Sequence, residues 1–182
     1  LRQGWVREEG AVLIRGAGVD TQRFKPASSR ACSEVELNSD IAPSAACPPV
    51  VMLLSRMLWD KGVGEFVGAA RHIRKQHGDG YARFVLVGDP DDDSGGAFGR
   101  GQLQGWLQEG VVEWWGFKHD VENILAQATV SCLPSYREGL PKSLLESLAM
   151  GWPCIATNVP GCRDAVVDGV NGILVPPKEC EP

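Results

Sequence analysis

Two glutamates stand eight residues apart in the run SYREGLPKSLLESLAMG, Ser135–Gly151. The apolar residues before it, Thr129–Leu133, read as a strand. Leu144, Leu145, Leu148 and Ala149 then recur at the spacing of a helix face packed on a sheet. Glu138 therefore precedes the helix while Glu146 lies inside it, so they are not stacked neighbours as residues three or four apart would be. They can instead reach two different parts of one extended ligand. Between them Gly139, Leu140 and Pro141 lead into the helix start, where backbone N–H groups and the positive dipole end favour an anion. Gly139 permits close backbone approach because it has no Cβ. Each glutamate also has a plainer reading, Glu138 as a surface charge and Glu146 as a solvated helix residue.

A second run, SRMLWDKG (Ser55–Gly62), follows another strand-like segment and carries Arg56 and Lys61 five residues apart. Both heads can converge on one anion, the Arg as a bidentate fork and the Lys as a point charge. One such charge pair at 4 Å is worth about 4 kcal/mol at an effective dielectric of 20, before desolvation is counted. Two solvated surface cations are the plainer alternative. A third run, ATNVPGCRDAVVDGVNGILV (Ala156–Val175), passes from a strand through a Pro-Gly turn into a short helix. Asp168-Gly169 and Asn171-Gly172 then mark tight turns before a last strand.

These residues need a scaffold, and the hydrophobic pattern supplies one. Val50–Ser55, Arg83–Val87, Val111–Trp115, Thr129–Leu133 and Cys154–Thr157 read as strands, with Gly172–Val175 as a weaker sixth. Helical segments alternate with them: Gly62–Gln76, Gln102–Gln108, Asp120–Gln127, Lys142–Met150 and Arg163–Val166. The fold class is therefore α/β, a Rossmann-like, doubly wound parallel sheet with helices on both faces. Such sheets bind ligands beyond the C-terminal ends of their strands, so the loops after Ser55, Val87, Trp115 and Leu133 should form one rim. Trp114 and Trp115, adjacent on a strand, must point to opposite faces.

Length and composition narrow the function classes. The chain has 182 residues, 18 Lys+Arg against 23 Asp+Glu and a net charge of −5, which argues against generic nucleic-acid binding. The longest pure apolar run is five residues, Val50–Leu54, far short of a membrane helix. The opening LRQGWVREEG has neither Met nor the order of a signal peptide, and PPKECEP stops just after a strand-like run, so the chain reads as a fragment. Residues 26–49, rich in Ala, Ser and Pro, read as a connector or loop. Six cysteines include no CxxC pair, which argues against zinc. Cys132 and Cys154 read as reduced buried thiols, while Cys32 and Cys47 can bridge only in an oxidising setting.

Taken together, GVDTQRFKP (Gly18–Pro26), the Arg56…Lys61-Gly62 loop, FVLVG (Phe84–Gly88), LPSYREGLPKSLLE (Leu133–Glu146), TNVPGCRD and DGVNG resemble, in this order, the C-terminal half of a retaining glycosyltransferase of the GT-B fold, family four. The resemblance covers roughly Gly18–Pro177 and implies a donor-binding domain over 18–182, with 1–17 left from a preceding domain. It implies that Arg56 and Lys61 hold the donor diphosphate and stabilise charge on the departing nucleotide without a metal or other cofactor. Glu138 would bind hydroxyls of the transferred sugar, with Gly139, Leu140, Pro141 and Ser143 around the sugar and phosphate and Glu146 on the ribose. Both carboxylates are expected to be ionised, because hydroxyl donors and a nearby cation favour the charged form.

The partner implied is a nucleotide sugar, a UDP-sugar by preference, together with an N-terminal acceptor domain that this chain lacks. No nucleic acid is implied. The setting implied is cytoplasmic assembly of surface polysaccharide or lipid-linked oligosaccharide, with the full-length enzyme peripheral at the inner membrane face. The fragment is expected to be inactive alone.

Two other classes stay open at this stage. The same residues can explain a non-catalytic nucleotide-sugar binding module. A Rossmann oxidoreductase is disfavoured, because the GAG at Gly16–Gly18 meets Thr21 where a dinucleotide fingerprint needs glycine. No P-loop motif is present. DPDDDSGG (Asp89–Gly96) lacks calcium-loop spacing and reads as a solvated acidic loop. His72, His77 and His119 are scattered, and only His119 falls on the expected rim, where a surface role is the plainer reading.

Overall fold

A computed structural model of the chain describes residues 16, 18–26, 48–90 and 99–178. Several expectations fall outside them: the 1–15 remnant, Cys32 and Cys47, nearly all of the 26–49 connector, and most of the acidic loop. Among the described residues, each short apolar run becomes a strand: β1 Val50–Leu54, β2 Arg83–Val87, β3 Glu113–Trp114, β4 Val130–Leu133, β5 Cys154–Thr157 and β6 Gly172–Val175. All pair in parallel, in the order β3-β2-β1-β4-β5-β6. The helices between them are α1 Val63–His77, α2 Arg100–Gln108, α3 Val121–Leu125, α4 Lys142–Ala149 and α5 Pro160–Ala165. Strand order reverses between β1 and β4, so the crossovers leaving those two strands run in opposite directions and open a crevice at their C-terminal ends.

Both faces of the sheet are covered, as the unbroken apolar strands require. Leu53 and Leu86 point to one side, where Phe66 and Val67 of α1 and Leu103 and Trp106 of α2 pack on them. Their neighbours Met52 and Val85 point to the other, among Leu125 of α3, Met150 and Phe24. Beyond β4, Leu144, Cys154, Ala156, Cys162 and Val166 fill a third cluster. Trp114 packs with the first cluster and Trp115 with the second, on opposite faces as the alternation demands. Cys154 and Cys162 are buried free thiols and Cys132 is a part-buried one.

Phe24 secures the GVDTQRFKP segment to this scaffold. Asp20 closes a turn by accepting from the amides of Gln22 and Arg23 through its side chain and from Phe24 through its carbonyl, at 2.9, 3.2 and 2.9 Å. That turn lets the Phe24 ring enter the core, 3% exposed.

Some boundaries differ from the sequence reading. Only Glu113–Trp114 of the expected Val111–Trp115 strand joins the ladder, as an edge pairing with Val85 and Leu86. The last helix begins at Pro160 rather than Arg163, because proline's fixed φ and missing N–H suit the first helical position. Residues 59–61 form a separate 3-10 turn that ends at Gly62, in the left-handed region at φ 73°.

Candidate functional site

One backbone hydrogen bond and two buried side chains anchor the loop after β1. Met57 donates its N–H to the Asp89 carbonyl at 3.0 Å, and its side chain and that of Leu58 are buried. The 3-10 turn then folds Lys61 back, and Gly62 lies flat against the loop after β4. A Cβ at Gly62 would fall 2.1 Å from the Pro134 carbonyl oxygen. Two loops far apart in sequence are thereby pressed together at the crevice between β1 and β4.

The contact they make is specific. Lys61 Nζ donates to Glu138 Oε1 at 2.8 Å, with side-chain exposures of 16% and 12%. Ser135 Oγ donates to the same oxygen at 2.6 Å. Ser135 is itself held by Thr157, whose hydroxyl donates to its carbonyl. From the other side Gly161 of α5 abuts the Glu138–Gly139 backbone, and a Cβ there would lie 1.5 Å from the Gly139 carbonyl oxygen. Neither Lys61 nor Glu138 is therefore a solvated surface charge. Arg56 stands exposed on the same rim, one turn of loop before Lys61. The expected convergence of Arg56 and Lys61 takes a different form here, since Lys61 is directed at Glu138.

Beside this pair, α4 opens without a side-chain cap, Pro141 being its N-cap. Its first-turn amides, including those of Lys142 and Ser143, have no intrahelical acceptor and come directly after the loop that leaves β4, a suitable place for an anion. Gly139 is exposed, and Leu140 packs against Gly16, where a Cβ would lie 2.7 Å from Leu140 Cδ2. Gly16, the first glycine of the GAG run, thus lies against the loop after β4. The Ser143 carbonyl accepts from Ser147 Oγ at 2.8 Å, leaving the Ser143 side chain half-buried at the helix start.

Glu146 departs from its plainer reading. It is 6% exposed, with Lys142 one turn earlier at 3.5 Å. Burial pushes its carboxyl up from the usual value, against the pull of Lys142 and Arg23 and with the repulsion of Glu122 added. The expectation that it is ionised therefore meets an opposing desolvation effect. Glu146 and Ser147 share the buried face of α4 with Leu144, whereas Leu145, Leu148 and Ala149 are only partly covered.

Sequence reasoning did not mark Ser135, Thr157 or Gly161. The serine three residues before Glu138 was the one local signal for the first, and the other two become visible only when β5 is placed beside β4. His119 is exposed and meets Phe117 edge to face at 4.8 Å on the loop after β3, where Asp89 accepts the Phe117 N–H at 3.0 Å. Among the described residues no group of three or more His, Cys, Asp or Glu is placed to hold a metal ion, and no helix is long and apolar enough to cross a membrane.

The profile of the family described as "Glycosyl transferases group 1" matches residues 48–182. The chain belongs to this family. Among curated relatives, it is 28% identical over its whole length to the N,N'-diacetylbacillosaminyl-diphospho-undecaprenol alpha-1,3-N-acetylgalactosaminyltransferase of Campylobacter jejuni, 45% of which it covers. It is 28% identical over 87% of its length to the UDP-Gal:alpha-D-GlcNAc-diphosphoundecaprenol alpha-1,3-galactosyltransferase of Escherichia coli, covering 39% of that protein. Among solved structures, the sucrose-phosphate synthase of Thermosynechococcus elongatus superposes with a TM-score of 0.72 at 26% identity, over 98% of this chain and 43% of that one. The group 1 chain described here thus spans less than half the length of these relatives.

Proposed function

We propose that this chain is the nucleotide-sugar-binding part of a retaining glycosyltransferase, and that the crevice between the loops after β1 and β4 holds the donor. The observation that carries the reading is the Lys61–Glu138 contact. It joins a phosphate-binding cation to a carboxylate that can accept sugar hydroxyls, at the place where doubly wound sheets bind ligands. Lys61 has three N–H donors and Glu138 takes one, so the ammonium can reach a phosphate oxygen without leaving its partner. Arg56 and the free amides at the start of α4 supply further positive potential for the diphosphate leaving group. The reading requires no metal ion, since these groups offer the charge stabilisation that the departing nucleotide needs.

Glu146 is assigned to the ribose. Two ribose hydroxyls donating to its carboxylate would favour the charged form and offset the desolvation that now opposes it. UDP is the proposed nucleotide, supported by the UDP-Gal in the Escherichia coli relative's name, and the diphospho-undecaprenol in both relatives' names supports a lipid-linked glycan acceptor. Residues 18–182 are assigned to the donor domain and 1–17 to the end of a preceding acceptor domain. The whole enzyme is assigned to the cytoplasmic membrane face, bound peripherally.

Calorimetric titration with UDP, GDP, ADP and NAD tests the donor assignment. UDP is expected to saturate, with Arg56→Ala and Glu146→Ala each weakening it about ten- to a hundredfold, the loss of one charge-assisted hydrogen bond. UDP binding that neither substitution weakens would place the nucleotide elsewhere, and preferential NAD binding would return the sheet to the oxidoreductases.

A further inference from the structure

The loops that carry Lys61 and Glu138 are tied by a second, separate link. Tyr136, two residues before Glu138, donates its N–H to the carbonyl of Asp60 at 2.9 Å, immediately before Lys61. Its hydroxyl donates to Glu65 Oε1 in the first turn of α1, four residues beyond Lys61. Tyr136 therefore grips the Lys61 turn on both sides. The other carboxylate oxygen, Glu65 Oε2, is buried and has no hydrogen-bond partner among the described residues. A buried acceptor left unpaired disfavours folding, so this carboxylate is poorly explained by stability alone. Lys178, beyond β6, covers the outer face of the ring with its ammonium 5.0 Å from the centroid.

The geometry points to a function for this link. We propose that Tyr136 and Glu65 are positioning residues, whose hydrogen bond holds the loop after β4 on α1 and so fixes the Lys61–Glu138 contact. A lysine side chain has four rotatable bonds and no geometric preference of its own, so its ammonium is placed only as well as the loops that present it. A displacement of the order of 1 Å in such a group is enough to lower the efficiency of a site built around it. The consequence for donor binding rests on the function proposed above. The effect on Lys61 does not, and can be read in the protein without donor.

The test is mass-spectrometric acylation of lysines by a succinimidyl ester, run on the whole chain. Cys154 and Cys162, 1% and 0% exposed, serve as the control for general loosening through their reactivity toward a maleimide. Tyr136→Phe removes only the hydroxyl, Glu65→Leu removes the acceptor, and Glu65→Gln keeps a carbonyl oxygen that Tyr136 can use. Expected are a several-fold rise in Lys61 acylation for Tyr136→Phe and Glu65→Leu, parent-like protection for Glu65→Gln, and unreactive thiols throughout. Lys61 as protected in Tyr136→Phe as in the parent would overturn the proposal. So would acylation that rises together with thiol reactivity, which marks a merely structural role.

A donor arm separates this inference from the reading beneath it. Tyr136→Phe should weaken UDP-glucose or UDP-galactose binding about tenfold, with Glu65→Gln restoring it to within about twofold. Deprotected Lys61 with no nucleotide bound even by the parent would reject the donor reading and leave the positioning role standing. Donor affinity and Lys61 protection both parent-like in Tyr136→Phe would reject the positioning role and leave the donor reading standing.

Discussion

Lys61 and Glu138 form an ion pair that is mostly withdrawn from water, and this sets the outcome of mutating either. Breaking such a pair leaves an uncompensated charge in a poorly solvated place. Lys61→Met or Glu138→Leu alone is expected to cost about 1–3 kcal/mol in urea denaturation, a range discounted for the remaining exposure. The double substitution should recover most of that loss while abolishing donor binding. Single and double costs that simply add would show that the pair is not coupled. Glu146 gives a prediction in pH. Its carboxyl is raised by burial, so between the ordinary carboxylate range and the raised value the folded chain binds more protons than the unfolded one. Stability then increases as pH falls through that window, the reverse of a salt-bridged carboxylate. Thermal melts of the parent relative to Glu146→Gln should show a relative gain for the parent as pH falls toward the ordinary carboxylate range. A difference independent of pH would contradict the assignment. The types of these residues were legible in the sequence. Their contacts were not, because the two members of the pair are 77 residues apart and Glu146's burial depends on which helix face meets the sheet.

At the scale of elements, β1, β2, β4 and β5 were legible because each is a largely apolar run covered on both faces, whereas β6, with Ile173 exposed, and the two-residue β3 gave weaker signals. What escaped was where loops touch. Pro160-Gly161 reads locally as a turn, yet these residues open α5 and lie on the Glu138–Gly139 backbone. Gly161→Ala should therefore displace that loop, lowering stability by about 1–3 kcal/mol and donor affinity at least tenfold. Gly105→Ala is its control. Inside α2 a methyl at that position meets nothing within 4 Å, so it should stabilise by about 0.5–1 kcal/mol and leave donor affinity unchanged. Equal effects from both would remove the steric argument. The Gly18–Pro26 segment is tied by its single buried ring, and Phe24→Ala should cost about 3–5 kcal/mol as measured by denaturant midpoint. A cost under about 1 kcal/mol would mean that the segment does not depend on that anchor.

For the whole molecule, strand order decides where chemistry can occur. A β3-β2-β1-β4-β5-β6 sheet has one reversal, and every residue assigned to the donor lies on the loops at the C-terminal ends of β1 and β4 or on α4, the helix that follows β4. Alternating strands and helices announced the fold class, and the rim followed from it. The order of the strands could not be read from the chain, since apolar runs of four or five residues carry no mark of their neighbours. The most direct test of the account is a crystal structure of the chain with UDP. The account predicts the diphosphate against Lys61 Nζ and the first amides of α4, with the ribose hydroxyls on Glu146 and Lys61 still touching Glu138. A nucleotide bound at the opposite ends of the strands, or one in the crevice that touches neither Lys61 nor Glu146, would contradict it.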